Sequence, residues 1–178
     1  MLVVPVYDMV LTPDSTVYFQ LEQLRRSSGG KGVSVNEKVI LILAKESENY
    51  KDMTEESFYP IGVAGVVSDI NSQGFAAIRV QYRVDINDLW INPNHTIELT
   101  VSRRPDIDDL EKEVEQEKLK SLIQEMRDFA SGFEWADYAE NYIGQIDTIG
   151  MAAASMSPWL KISNEECYAI LSEDSRLR

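Results

Sequence analysis

The chain opens with MLVVPVYDMVLTP, residues 1–13. Its first residues are apolar and partly β-branched, which favours a strand. That run leads into Pro5, and a second apolar run, residues 9–11, ends at Pro13 and Asp14. Proline and aspartate are typical of strand ends and turns. The pattern therefore predicts that a β-rich unit begins here.

Two further stretches predict strands with different surroundings. Lys38–Ala44 is a continuous apolar run of strand length, which predicts a strand buried on both faces. Ile61–Ile70 is rich in valine and contains Gly62 and Gly65. A glycine inside a strand often marks a bulge or the close approach of another backbone. We therefore expect this second strand to bend, as strands do at the corners of small barrels.

A hairpin is predicted around Asn71–Gly74, whose residues favour a turn. The stretch that follows, Phe75–Val84, has the clearest two-residue alternation in the chain. Its apolar positions are Ile78, Val80, Tyr82 and Val84, and its polar positions are Arg79, Gln81 and Arg83. Another strand is predicted at His95–Ser102. Several short strands separated by turns favour a compact β-barrel or sandwich.

The rest of the chain is predicted to be helical. Residues 106–132 begin with an aspartate suited to an N-cap and carry apolar residues at three- and four-residue spacing. Further helix is predicted within residues 135–156. Ser163 and Glu166 have the spacing of a capping box, which opens a last helix through Leu171.

The sequence predicts two domains, a β-rich domain at residues 1–104 and a helical bundle at residues 105–178. Negative charge is concentrated in the helical bundle. Of the net charge of -13, residues 106–178 contribute -10 and residues 1–105 contribute -3. An acidic surface repels phosphate, which argues against nucleic acid and anionic membranes as partners. Solubility is the simpler explanation of the charge.

Composition is that of a soluble globular protein, with 44% hydrophobic and 26% charged residues. No stretch approaches the roughly 18 apolar residues of a membrane-spanning helix. No basic segment precedes the first apolar run, so a signal peptide is not expected. The single cysteine, Cys167, cannot form an intramolecular disulfide, which is consistent with a cytoplasmic location.

Motifs of catalysis and ligand binding fail when their spacing is tested. Around Gly30 and Lys31, a P-loop would need glycine where Arg25 stands and a hydroxyl residue where Gly32 stands. His95 is the only histidine, and no nucleophile elbow surrounds a serine. No group of His, Cys, Asp and Glu has metal-site spacing. The sequence therefore predicts a non-catalytic protein with no metal and no cofactor.

Taken in order, these landmarks resemble the N-terminal substrate-recognition domain of the ATP-dependent Lon protease family. Members of that family begin with a Pro-Leu-Arg-Asp-like element, an apolar run and a turn, which are similar to residues 5–14. Their next strands resemble VYF at residues 17–19 and LILAKE at residues 41–46. Their Val-Gly-Thr-Val-Ala stretch is similar to IGVAG at residues 61–65, and their closing leucine-rich helix to residues 168–177.

The resemblance implies an α+β fold, a PUA-like pseudo-barrel of mostly antiparallel strands followed by a C-terminal helical bundle. It also implies a protein-binding module that recognises unfolded or tagged proteins for an ATP-dependent Lon-type serine protease. The implied partners are those substrates, the ATPase and protease modules of a longer chain, and further copies of the domain. Whether the chain is part of a longer protease or a stand-alone relative stays open.

Five residues are candidate substrate contacts within this resemblance: Tyr18, Phe19, Leu24, Arg25 and Arg26. The apolar members are chosen because exposed apolar surface marks interaction sites. The two arginines suit acidic tags. Core packing is the alternative for Tyr18 and Phe19, and a solvated loop is the alternative for the arginines.

The chain departs from the family pattern at two places. Members have a short helix after the second strand, whereas residues 21–32 are predicted to be looser and rich in glycine. Residues 80–86 replace a Leu-x-Gly-x-x-Arg element.

Other function classes also stay open. The chain could be a stand-alone PUA-like adaptor or an RNA-binding module, although no basic stripe supports RNA binding. It could also be a small enzyme with a cleft of convergent titratable groups.

Overall fold

The computed structural model describes residues 1–46, 52–106, 112–132, 134, 136–146, 151–152 and 163–173. The strands are β1 (Leu2–Val6), β2 (Thr16–Gln20), β3 (Lys38–Ala44), β4 (Phe58–Ile70), β5 (Phe75–Ile91) and β6 (Ile97–Arg104). The helices are α1 (Leu21–Ser27), α2 (Lys112–Ala130), α3 (Ala136–Ile143) and α4 (Asn164–Ser172), and a 3-10 turn at Glu55–Ser57 precedes β4.

The six strands form one mostly antiparallel sheet, in which β1-β3-β4-β5-β2 are neighbours in that order and β6 also pairs with β5. Only the pair of β1 and β3 is parallel among the described strands. The long strand β5 pairs with β4 along one edge, while β2 and β6 pair in succession along its other edge. Strand β6 lies close to β1, so the sheet curls towards a barrel. This architecture confirms the predicted α+β fold with mostly antiparallel strands.

The two glycines of β4 lie where neighbouring strands approach closely, as their positions in the sequence predicted. A Cβ added to Gly62 would lie 2.6 Å from the carbonyl oxygen of Leu41. A Cβ added to Gly65 would lie 2.6 Å from the carbonyl oxygen of Arg79. The register between β4 and β5 also shifts just before Gly65, which marks a bulge. Glycine is required at both positions by space alone.

The bulge changes which side chains of β5 face inwards. Adjacent residues of β4 pair with Tyr82 and Val80, so Gln81 is the extra residue. The two β4 residues are successive and face opposite sides of the sheet, so their partners Val80 and Tyr82 also lie on opposite faces. The predicted alternation is therefore wrong beyond Gln81. Arg83, predicted to share a polar face with Arg79, is only 3% exposed.

Two clusters of buried residues lie on the two faces of the sheet. The first combines residues of β1 to β5 with Leu24 of α1 and with Cys167 and Leu171 of α4. The second consists of Val3, Ile40, Ile42, Ala44, Phe58, Ala64, Val84, Ile97 and Leu99. Helix α4 therefore packs on the sheet, although the sequence placed it in the helical bundle. The division of the chain at residues 104 and 105 stays a prediction.

Several boundaries differ from the predicted ones because pairing continues past the sequence signals. Strand β3 has its predicted bounds, while β4 begins before Ile61 and β5 continues to Ile91, where it pairs with β6. The apolar run at residues 9–11 is not a strand, although Val10 and Leu11 are buried. The predicted helix start at residues 107–111, and most of residues 147–162, lie outside the described residues.

Helix α1 corrects the prediction that residues 21–32 are loose. Its sequence LEQLRRS consists mostly of good helix formers, and Leu24 anchors it in the first cluster. The helix ends before Gly29 and Gly30, whose φ angles of 70° and 88° lie in the left-handed region that glycine tolerates. The glycines thus end a helix here, and they do not prevent one.

Candidate functional site

The structure separates the five candidate contact residues between the core and the surface. Phe19 and Leu24 are 3% and 0% exposed and belong to the first cluster, so their predicted role in substrate contact is corrected to core packing. Tyr18 is 68% exposed, because alternation along β2 directs it to the opposite face. Arg25 and Arg26 are exposed on α1, whose anchor Leu24 belongs to the same cluster as Phe19. Tyr18 therefore lies on a different face from the two arginines.

Tyr18 belongs to an exposed part of the sheet that we call the β2–β5 surface. Its members are Thr16, Tyr18 and Gln20 of β2 and Phe75, Ala77 and Arg79 of β5. The register places Tyr18 opposite Ala77, and Gln20 opposite Phe75. Opposed residues of an antiparallel pair share a face, and diagonal neighbours lie about 7–8 Å apart, within reach of aromatic side chains. Tyr18 and the 39% exposed Phe75 therefore lie on one face as diagonal neighbours, and we call this pair the aromatic patch.

Charge along this surface differs in sign from that of the whole protein. Arg79 lies between Thr16 and Val66, and the next strand places Lys38 opposite Val66. Both cations are exposed, and they form one cross-strand row with the two neutral residues. The carboxylate of Asp69 lies on the far side of the patch, where Asp69 pairs with Ala77. The surface combines aromatic rings with a small excess of positive charge.

Backbone hydrogen bonds fix both ends of the β2–β5 surface. At one end the N–H of Leu21 donates to the carbonyl of Gly74 at 2.9 Å. At the other end the N–H of Val80 donates to the carbonyl of Ser15 at 2.8 Å, and the N–H of Asp14 donates back to Val80 at 2.9 Å. The aromatic patch is therefore carried on a backbone that is held in place, which favours a preformed binding surface.

Phe75 and Arg79 are members of this surface that sequence reasoning did not select. The alternation of the strand was enough to place Phe75. Phe75 and Arg79 are four positions apart and share one face, whereas Ile78 and Val80 were predicted to be buried on the other face. An aromatic residue at a solvent-facing position was therefore detectable. Its position beside Tyr18 was not, since the register between β2 and β5 joins segments distant in sequence.

Arg83 lies on the other face and connects β5 to α4. Its Nη1 donates to the carbonyl oxygens of Leu171 at 3.2 Å and Glu173 at 3.0 Å, at the end of α4. Its Nε donates to Oδ1 of Asp106 at 2.8 Å. A cation is favourable at a helix C-terminus, where carbonyl groups lack partners within the helix. Arg83 therefore serves to hold α4 against the sheet.

Two titratable groups of α4, the buried Cys167 and the partly buried Tyr168, have raised pKa values. Burial raises the pKa of the Cys167 thiol, and the carboxylates of Asp8 and Glu166 raise it further. Burial also raises the pKa of Tyr168, with Arg104 opposing this change and Tyr59 and Asp85 adding to it. A nucleophilic cysteine needs a lowered pKa, so Cys167 has the character of a packing residue.

The described part of the chain contains no group of three or more His, Cys, Asp and Glu residues arranged to hold a metal ion. Among the same residues, no helix is both long and apolar enough to cross a membrane. The exposed aromatic patch is a candidate binding surface.

The fold defines a class of domain, a curled β sheet with helices packed against it. Among the solved structures that share this fold are two Lon N-terminal domains. One is the N-terminal domain of the Lon protease of the Mycobacterium avium complex, with a TM-score of 0.55, 14% identity, and coverage of 96% of this chain and 88% of that one. The other is a Lon N-terminal domain protein from Xanthomonas campestris, with a TM-score of 0.56, 16% identity, and coverage of 98% and 90%.

No family model and no curated protein matches this chain by sequence. At 14% and 16% identity, the two structures establish a shared fold over nearly the whole chain. The prediction of a Lon N-terminal fold is confirmed.

Proposed function

We propose that this chain is a non-catalytic protein-binding module that recognises unfolded or tagged proteins for a Lon-type protease in the cytoplasm. The β2–β5 surface carries the proposal, because Tyr18 and Phe75 expose aromatic rings on a fixed backbone. Aromatic side chains contribute much of the binding energy at protein interfaces. The shared fold with two Lon N-terminal domains supports the protease context.

The chemistry of the surface favours apolar segments over folded acidic proteins. Unfolded proteins expose apolar side chains that folded proteins bury, and Tyr18 with Phe75 offers such side chains a complementary surface. Lys38 and Arg79 add attraction for segments that carry acidic residues. The net charge of -13 keeps folded acidic proteins at a distance.

The direct test is binding of reduced, fluorescently labelled casein to this chain, measured by anisotropy. A double variant, Tyr18→Ser with Phe75→Ser, should bind casein at least about tenfold more weakly, since two exposed aromatic contacts are lost. Tyr7→Ser is the matched control, because Tyr7 is 44% exposed and lies outside the surface. Equal binding by the double variant and the wild type would overturn the assignment of this surface.

A second comparison tests the function itself. Folded, disulfide-bonded lysozyme should bind much more weakly than the same protein after reduction and alkylation. If the chain bound reduced casein no better than an unrelated acidic domain did, the proposal of substrate recognition would fail.

A further inference from the structure

The outer edge of β2 presents backbone groups that suit an additional strand. The N–H of Val80 donates to the carbonyl of Ser15, and the N–H of Leu21 donates to the carbonyl of Gly74. These two bonds show which residues of β2 direct their backbone groups towards β5. Residues 17 and 19 then direct their N–H and C=O groups towards β5, and residues 16, 18 and 20 direct theirs away. Thr16 and Tyr18 therefore offer outward N–H and C=O groups, and Gln20 offers an outward N–H.

These outward groups have no backbone partner among the described residues. Strand β2 pairs with β5 alone in that part of the chain, and it ends the strand order of the sheet. Thr16, Tyr18 and Gln20 are all exposed. An exposed strand edge of this kind is a template for pairing with another extended chain.

The other edges of the sheet are protected in ways that β2 is not. Strand β1 is buried along its length and contains Pro5, which cannot donate a ladder hydrogen bond. Strand β6 lies close to β1. The sequence of β2, TVYFQ, contains no proline and no charged residue, which are the usual means of blocking an edge.

We propose that β2 binds its protein substrates by strand addition, in which an extended segment of an unfolded protein pairs with the outer edge of Thr16–Gln20. This inference rests on the proposed function and specifies its mode. The segment's backbone bonds to the outward groups of Thr16 and Tyr18, which requires an extended chain with free N–H groups. Its alternate side chains lie on the face of Tyr18 and Phe75, which favours apolar and aromatic residues there.

An unfolded segment fits this edge better than a second copy of the chain. Two copies paired through β2 would bring together proteins that each carry a net charge of -13, and that repulsion opposes association. An extended apolar segment carries no such charge. Its backbone is also unpaired before binding, whereas folded proteins have already paired theirs.

The experiment compares two fluorescein-labelled peptides of alternating tyrosine and threonine, one unmodified and one N-methylated at every backbone amide. The methylated peptide keeps its side chains and loses its N–H donors, so it should bind at least about tenfold more weakly. The Tyr18→Pro variant removes an outward N–H and no bond to β5, and it should bind the unmodified peptide more weakly than Tyr18→Ala does.

The outcomes separate this mode from the proposed function. If casein binds while both peptides bind equally, the chain recognises side chains only, and strand addition is overturned. A concentration-dependent dimer in sedimentation that the unmodified peptide cannot dissociate would also overturn it. If neither casein nor the peptides bind, the proposed function itself fails. Should Tyr18→Pro fail to fold, the peptide pair still decides the matter with the wild-type chain.

Discussion

The backbone N–H of Asp8 donates a hydrogen bond of 2.8 Å to Oδ1 of Asn164, joining residues 156 positions apart in the chain. The amide of the same Asn164 side chain donates to the carbonyl oxygens of Ala44 at 2.7 Å and Lys45 at 3.1 Å. One buried side chain thus connects the end of β1, the end of β3 and the start of α4. No local sequence pattern around Asn164 indicates this role.

Replacing Asn164 by alanine should lower the free energy of unfolding by about 2–3 kcal/mol, because buried backbone groups lose their partners. Asn164→Asp should also destabilise the protein, since a carboxylate accepts from Asp8 and cannot donate to the two carbonyls. Urea unfolding followed by circular dichroism measures both changes. Asn141→Ala, at an exposed position of α3, is the control and should change stability by less than about 0.5 kcal/mol. An unchanged midpoint for Asn164→Ala would contradict the role assigned here.

Adding a methyl group at Gly65 should destabilise the protein by about 1–3 kcal/mol, because the new Cβ would meet the carbonyl oxygen of Arg79 at 2.6 Å. That loss corresponds to a fall in melting temperature of roughly 2–12 °C for a chain of this size. Gly32→Ala is the matched control, since nothing lies within 4 Å of its Cβ position. Thermal unfolding of the two variants side by side makes the comparison, and equal melting temperatures would show that β4 has room at Gly65.

Stability should depend on the ionisation of Tyr168 at alkaline pH. Its ring stacks on Tyr59 with centroids 3.9 Å apart, and burial raises its pKa above that of the unfolded chain. The neutral phenol is therefore favoured in the folded state. This contribution is fully present below the unfolded pKa, near 10, and is lost as the pH rises through the higher folded value.

Tyr168→Phe keeps the stacked ring and removes the titrating group, so it isolates this effect. Between about pH 8 and pH 11, the wild type should lose more stability than the variant, as measured by urea unfolding at each pH. Parallel losses in the two proteins would mean that other groups account for the alkaline dependence.

Local patterns predicted the strands and the last helix because their signals lie within a few residues. The run Lys38–Ala44 appears as β3 with the same bounds, and the capping box of Ser163 and Glu166 opens α4 as expected. In contrast, the direction of Arg83 could not be predicted, because it depends on where β5 slips relative to β4 at Gln81. A bulge is a property of two paired strands, so one strand's alternation cannot reveal it.

The candidate site was predicted in part for the same reason. Tyr18 was selected and is exposed, while its neighbour Phe19 was selected and is buried, since adjacent residues of a strand face opposite sides. Deciding which of the two faces solvent required the position of α1, whose Leu24 lies in the cluster with Phe19. Phe75 joined the surface only through the pairing of β2 with β5.

The burial of Cys167 makes the labelling rate of its thiol a measure of how often the protein opens around it. It is the only thiol in the chain, it is 2% exposed, and it lies in the cluster that α4 covers. A thiol reagent can therefore reach it only when α4 lifts from the sheet or the whole chain unfolds. Labelling kinetics at increasing urea concentration would time these two openings separately, and would report whether the helix detaches while the β2–β5 surface remains intact.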